Sequence, residues 1–167
     1  PRVYWGLLVG RLQRRAHFLY QRLHPRIIEV GLHPDGSLRD RHLWHLPPLA
    51  PDVLALRMDA ELDFASASAL ERRVAEHLAQ HPDVVHLCLL AQPINRIDVT
   101  GVETFAQLLA LMQSRGGTLH LSGLKLPAEQ VLRQAGLLEP RAGLAMYRTD
   151  ADMLVAMQQL PAPVARA

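Results

Sequence analysis

The chain has 167 residues, 49% of them hydrophobic but only 5% aromatic, and a formal net charge of +2. That is enough for one domain of ordinary size with an aliphatic core and some chain to spare, while a single cysteine, Cys88, excludes a disulfide framework. The charge is uneven: residues 1–26 hold six of the 18 basic residues and no acid, so the rest of the chain sets 12 basic residues against all 16 acids.

A basic leader on an acidic domain points to a membrane surface or to nucleic acid near the N-terminus. Between Trp5 and Leu23 the apolar Leu8, Leu12, Leu19 and Leu23 recur at near-helical spacing, with Arg11, Arg14, Arg15 and Arg22 between them. Trp and Tyr flanking such a pattern are interfacial anchors, so residues 1–25 read as a basic amphipathic helix and linker at a membrane surface, without a nucleic-acid partner. The apolar run is far shorter than the ~20 residues that span a bilayer. Its arginines follow the apolar stretch and do not precede it, so a signal peptide is not expected. The competing reading is a basic helix packed on its own domain or on a second copy. Pro1 is no initiator residue, so a longer parent chain is expected.

Residues 26–160 alternate between strand and helix patterns. Arg26–Leu32 reads as a strand closed by the turn His33-Pro34-Asp35-Gly36, Arg41–Leu46 as a short edge strand, and Val53–Met58 as a third strand. Ser66 or Ser68 then caps a helix that runs to about Gln80, with Leu70, Val74 and Leu78 on one face. Val84–Leu90, nearly continuously apolar, is the central strand, buried on both faces. A polar turn leads to Asp98-Val99-Thr100-Gly101. Asp98 suits an N-cap, and the helix behind it carries Val102, Phe105, Leu108, Leu109 and Met112 and stops at Gly116-Gly117. Thr118–Gly123 is the next strand, Pro127–Gln134 a short helix, Asp150–Leu160 a last one, and 161–167 a disordered tail. The fold class is α/β, a mixed β-sheet with helices packed mainly on one face.

Chemistry-bearing patterns are sparse. There is no Gly-Lys-Ser/Thr phosphate loop, no Gly-x-Gly-x-x-Gly and no Gly-x-Ser-x-Gly elbow, so neither an enzyme nor a cofactor is expected. His77 and His81 stand four apart on a helix but read as two exposed imidazoles near its end, and no metal site is expected. His42 and His45 bracket Trp44 on the edge segment, and His86 and His120 fall on different strands. Nine histidines allow a response to mildly acidic pH. What remains is the helix start at Asp98. Its free N–H groups and partial positive charge suit an anion or a partner's acidic group, which makes it a contact site before a catalytic one.

Four segments, in this order and spacing, resemble the STAS domain family, shared by sulfate transporters and anti-sigma factor antagonists. They are Leu56 to Ala65, Ile97 to Val102, Ser114-Arg115-Gly116-Gly117 with the strand after it, and Val131 to Leu137. Leu23 to Gly31 is similar to the linker that joins the last membrane span of the SulP anion transporters to their domain, and the extra segment up to Pro51 points the same way. The resemblance implies a domain at the cytoplasmic face of the inner or plasma membrane, part of an integral membrane protein and attached to a transmembrane anion-transport domain of the same polypeptide. There it would serve regulation, assembly as a homodimer, and docking of a cytoplasmic protein partner. The alternatives are a soluble antagonist-like switch protein and a small-anion or nucleotide sensor. In the antagonist branch the residue after the motif aspartate is a phosphorylated serine or threonine, whereas here it is Val99. The working surface expected is the Asp98, Val99, Thr100, Gly101 tip, flanked by Asp63, Phe64, Ser66 and by Lys125, with Trp5, Arg11, Arg14, Arg15 and Arg22 next to the membrane. A bulky residue at Gly101 is expected to block docking and leave the fold intact.

Overall fold

The computed structural model describes residues 2–161, so the expected tail lies outside the described residues beyond Pro161, as does the Arg22 side chain. Helix α1 (Arg2–Leu23) precedes a run of β1 (Ile27–Leu32), β2 (Leu38–Asp40), β3 (Val53–Met58), α2 (Ala67–Gln80), β4 (His86–Leu90), α3 (Val99–Ser114), β5 (Thr118–Ser122), α4 (Leu126–Gln134), β6 (Leu144–Tyr147) and α5 (Asp150–Gln158). One sheet takes the order β2-β1-β3-β4-β5-β6. β1 is antiparallel to both neighbours, and β3 to β6 are parallel, as their helical crossovers require.

Alternation along the strands sorts the core into two layers. Leu54, Leu56, Met58, Leu87, Leu89, Leu119 and Leu121 face α2, α3 and α4, where Leu70, Val74, Phe105, Leu109, Met112 and Leu132 fill the layer. Val53, Ala55, Cys88 and Leu90 face the other way, against Met153 and Met157 of α5. Three helices thus lie on one face and one on the other, in line with the expected mixed sheet with helices mainly on one face. Cys88 is buried and free, its thiol against the Met157 sulfur at 3.3 Å.

Three sequence expectations change. Residues 41–45 form a turn and not an edge strand, because the Asp40 carboxylate accepts hydrogen bonds from the backbone of His42 (3.1 Å) and Leu43 (3.3 Å) and curls the chain; the edge strand is Leu38–Asp40. β6 was not expected: Leu-Ala-Met-Tyr is too short to show a period, and its strand state comes from parallel pairing with β5. Helix α1 starts three residues before Trp5, and Val3, Trp5, Leu8, Leu12 and Leu19 stand exposed along it, so most of it does not pack on its own domain. Among the described residues no helix is long and apolar enough to cross a membrane.

Candidate functional site

The C-terminal ends of β3, β4 and β5 carry the loops that build the site. The loop after β3 and the loop after β4 are zipped together by backbone: Leu62 N–H donates to the Arg96 carbonyl at 3.1 Å, and Asp98 N–H donates to the Leu62 carbonyl at 3.2 Å. Asp98 locks this junction with both carboxylate oxygens. One accepts the Gly101 N–H at 2.8 Å, which caps α3, and the other accepts the Phe64 N–H at 3.0 Å across the two loops. Asp98→Ala removes both bonds at once, and a loss of about 1–2 kcal/mol is expected, with Asp98→Asn recovering part of it; urea unfolding measures both.

Gly101 is buried, and a Cβ built on it would run into the Leu62 carbonyl oxygen and lie 2.9 Å from Ile97 Cγ2. It is therefore a packing position and no free contact point. The expectation that a bulky residue there spares the fold is wrong.

Ser66 also departs from its expected place. It is 2% exposed, at the N-cap of α2, but its hydroxyl turns back to the Glu61 carbonyl at 2.5 Å instead of capping the helix. Asp63 accepts from the N–H groups of Ala65 (3.0 Å) and Ser66 (3.1 Å), so both side chains shape the loop. Thr100 is half-buried.

The tip exposes three large apolar side chains beside the polar Asn95, Arg96 and Lys125. Phe64 is 71% exposed, Val99 76% and Leu126 70%. They belong to three successive loop–helix junctions, bridged between Phe64 and Asp98 and between Lys125 and Asn95, whose side chains are hydrogen-bonded. Leu126 is not among the expected site residues; it opens α4 directly before Pro127, and no sequence motif marks it as exposed. A shallow groove beside this row is lined by Glu61, Asp63, Phe64, Arg96, Ile97 and Asp98. Because Asp98 already occupies the α3 N-terminus, the tip presents a carboxylate where a bound anion would sit, which counts against a small-anion sensor.

The leader reaches the same loop. Phe18, Gln21 and Pro25 line a second cleft with Asp59, Ala60, Glu61 and Asp63, so Glu61 and Asp63 border both clefts. Trp5, Arg11, Arg14 and Arg15 lie exposed farther along α1. Elsewhere, the His77 and His81 rings stack with centroids 4.2 Å apart, and among the described residues no group of three or more side chains could hold a metal ion. His42 meets Glu29 at 2.9 Å, and the Arg39 guanidinium lies 4.4 Å over the Trp44 ring. His86 and His120, separate in sequence, are hydrogen-bonded at 3.0 Å on the α5 face.

Comparison with known proteins places this geometry. The profile of the STAS domain matches residues 48–151. The high affinity sulfate transporter 2 of Stylosanthes hamata is 26% identical over 158 residues, 88% of this chain and 24% of that one. A probable sulfate transporter of Mycobacterium tuberculosis is 26% identical over 139 residues, 82% of this chain and 25% of that one. This chain thus spans about a quarter of the length of these relatives. Among solved structures, the murine Solute Carrier 26 family member A9 anion transporter, inward-facing, superposes with a TM-score of 0.71 at 15% identity over 93% of this chain and 26% of that one. A Thermotoga maritima protein described as a putative anti-sigma factor antagonist superposes with a TM-score of 0.58 at 19% identity over 71% of this chain and 99% of that one.

Proposed function

This chain belongs to the STAS domain family, and from that premise we propose that it is the regulatory and protein-docking domain of a SulP-type inorganic anion transporter, held at the cytoplasmic face of the membrane. The observation that carries the docking role is the exposed row Phe64, Val99 and Leu126 on a junction that is rigid beneath it. Large apolar side chains grouped on one junction mark a protein contact. The family relatives named as sulfate transporters, and the basic α1 at the N-terminal side, support attachment of residues 26–160 to a membrane part through residues 1–25.

The mechanism is differential docking. A partner that binds the row better in one transporter state shifts the equilibrium toward that state, by no more than its difference in affinity. The loop Glu61–Asp63, shared by the cleft beside the row and the cleft under α1, is the path by which docking reaches the leader. The antagonist-type alternative lacks its phosphorylatable residue, since Val99 has no hydroxyl.

The test is carried out on the native gene product in its source cells. Fractionation and blotting with an antibody to this domain should give a membrane-confined band several times larger than 18.7 kDa. A soluble band of about that size would overturn the transporter reading. A photocrosslinking residue at position 99 should then capture a protein that the same probe at the exposed Val155 does not. With the probe kept at 99, Phe64→Asp and Leu126→Asp should abolish the capture while leaving unfolding within about 0.5 kcal/mol of the parent. Equal capture at 99 and 155 would remove the row as the docking site.

A further inference from the structure

His86, His120 and Tyr147 lie on a diagonal across β4, β5 and β6, on the face that α5 covers. His120 stands at its centre, 5% exposed, with Nε2 at 3.0 Å from His86 Nδ1 and Nδ1 at 3.0 Å from the Tyr147 hydroxyl. The outer nitrogen of His86 is 3.8 Å from an Asp52 carboxylate oxygen. One set of proton positions satisfies every group. Tyr147 O–H donates to His120, His120 Nε2–H donates to His86, and His86 Nε2–H is left to face Asp52. The reverse set would point a ring lone pair at the carboxylate.

We propose that this diagonal is a proton-operated latch, which holds β6 and α5 on the sheet while the histidine pair carries no more than one positive charge and releases them when both rings are charged. A first proton is accommodated: the pair shares it across the same nitrogen–nitrogen bond, with Asp52 as counter-charge and Tyr147 turning from donor to acceptor. A second puts N–H against N–H at the central contact. That contact is then lost, and two positive rings face a single carboxylate in a half-buried layer. Tyr147 ties the change to β6, and three residues later Asp150 opens α5, where it accepts the buried Ser122 hydroxyl at 2.6 Å. Cys88 and Arg57 share this face with the diagonal. Burial raises the Cys88 thiol and the Tyr147 hydroxyl and keeps both neutral, and Arg57 lies along β3 paired with Asp59 at 3.2 Å.

The direction with pH follows from burial. Burial, then the neighbouring His86, brings His120 down to about 4, and burial lowers His86 against the opposing pull of Asp52. Below the ordinary histidine value of 6.5 an unfolded or opened segment therefore takes protons before the closed one does. The penalty on the closed state is absent above that value, grows as pH falls, and is complete near 4.

Amide hydrogen exchange on the 167-residue chain, expressed as protection factors at pH 7.5 and pH 5.0, tests the latch. Residues 144–158 should lose protection tenfold or more at the lower pH while β3 and β4 lose less than twofold, and His120→Phe should abolish the difference between the two values. Uniform loss across the sheet, no loss in 144–158, or an unchanged loss in His120→Phe would each overturn it. If His120→Phe does not fold, proton NMR titration of the parent chain decides: coupled titration of His86 and His120, with one midpoint below 5, supports the latch, and two independent midpoints near 6.5 overturn it.

Discussion

Gly101→Ala is expected to destabilise the domain by about 3 kcal/mol or more, far above what one methyl group normally costs. Nothing about the glycine's own dihedrals demands this, since Gly101 is not among the residues with positive φ. The demand is spatial. A Cβ at 101 meets the Leu62 carbonyl oxygen, and that oxygen cannot move aside, because it accepts the Asp98 N–H and belongs to the bridge that joins the two loops. Relief would require α3 to back away from the loop after β3, breaking the Asp98–Phe64 bond and opening the layer around Ile97 and Leu62. Gly10, on α1, is the control: a Cβ there meets nothing within 4 Å, and Gly10→Ala should be neutral or stabilising by up to about 1 kcal/mol. In thermal unfolding, at about 2–4 °C per kcal/mol for a domain of this size, Gly101→Ala should lower Tm by about 6–12 °C. A shift under 2 °C would mean that the loops are not zipped as described.

The same position shows what could and could not be read from sequence. Helix α3 announces itself through Asp98, the apolar run from Val102 to Met112 and the Gly116-Gly117 stop, all local signals. The role of Gly101 is not local, since it depends on a carbonyl 39 positions earlier in the chain. Ser66 fails for the same reason: its residue type suits a cap, but the Glu61 carbonyl offered its hydroxyl a closer partner. The edge segment at 41–45 was misread because alternating Arg, His, Leu, Trp and His look like strand, whereas the Asp40 carboxylate decides the backbone. Val99 was legible as a departure from the antagonist pattern, but its exposure was not, and exposure is what gives it a proposed role. The His86–His120 contact required the register of β4 on β5, which periodicity cannot supply.

The second large effect lies at the other margin of the sheet. Glu29 of β1 is 4% exposed, and its neighbours Ile28 and Val30 belong to the α5 layer, so its carboxylate points to the α2 side. There it meets Arg41 at 3.1 Å, His42 at 2.9 Å and, from α2, Arg73 at 3.9 Å. These contacts tack the segment after β2 across β1, where Gly31 leaves room for it: a Cβ at 31 would sit 2.9 Å from both Leu46 Cβ and the Pro47 carbonyl. Arg41→Ala should therefore cost about 2–3 kcal/mol, just under the roughly 3–5 kcal/mol for breaking a fully buried pair, because Arg41 keeps a quarter of its surface in water and His42 and Arg73 still compensate Glu29. Arg133→Ala, which breaks the exposed Glu129 pair on α4, should cost at most about 0.5 kcal/mol. The sharper test removes both charges. The buried Arg41 Nε has no hydrogen-bond partner among the described residues, so the pair is held at a cost, and Glu29→Leu combined with Arg41→Met should return to within about 1 kcal/mol of the parent. Urea unfolding of the parent, Glu29→Leu, Arg41→Met and the double variant gives the coupling directly. A double variant as unstable as Arg41→Met alone would mean that the segment is anchored by the shape of these side chains and not by their charge.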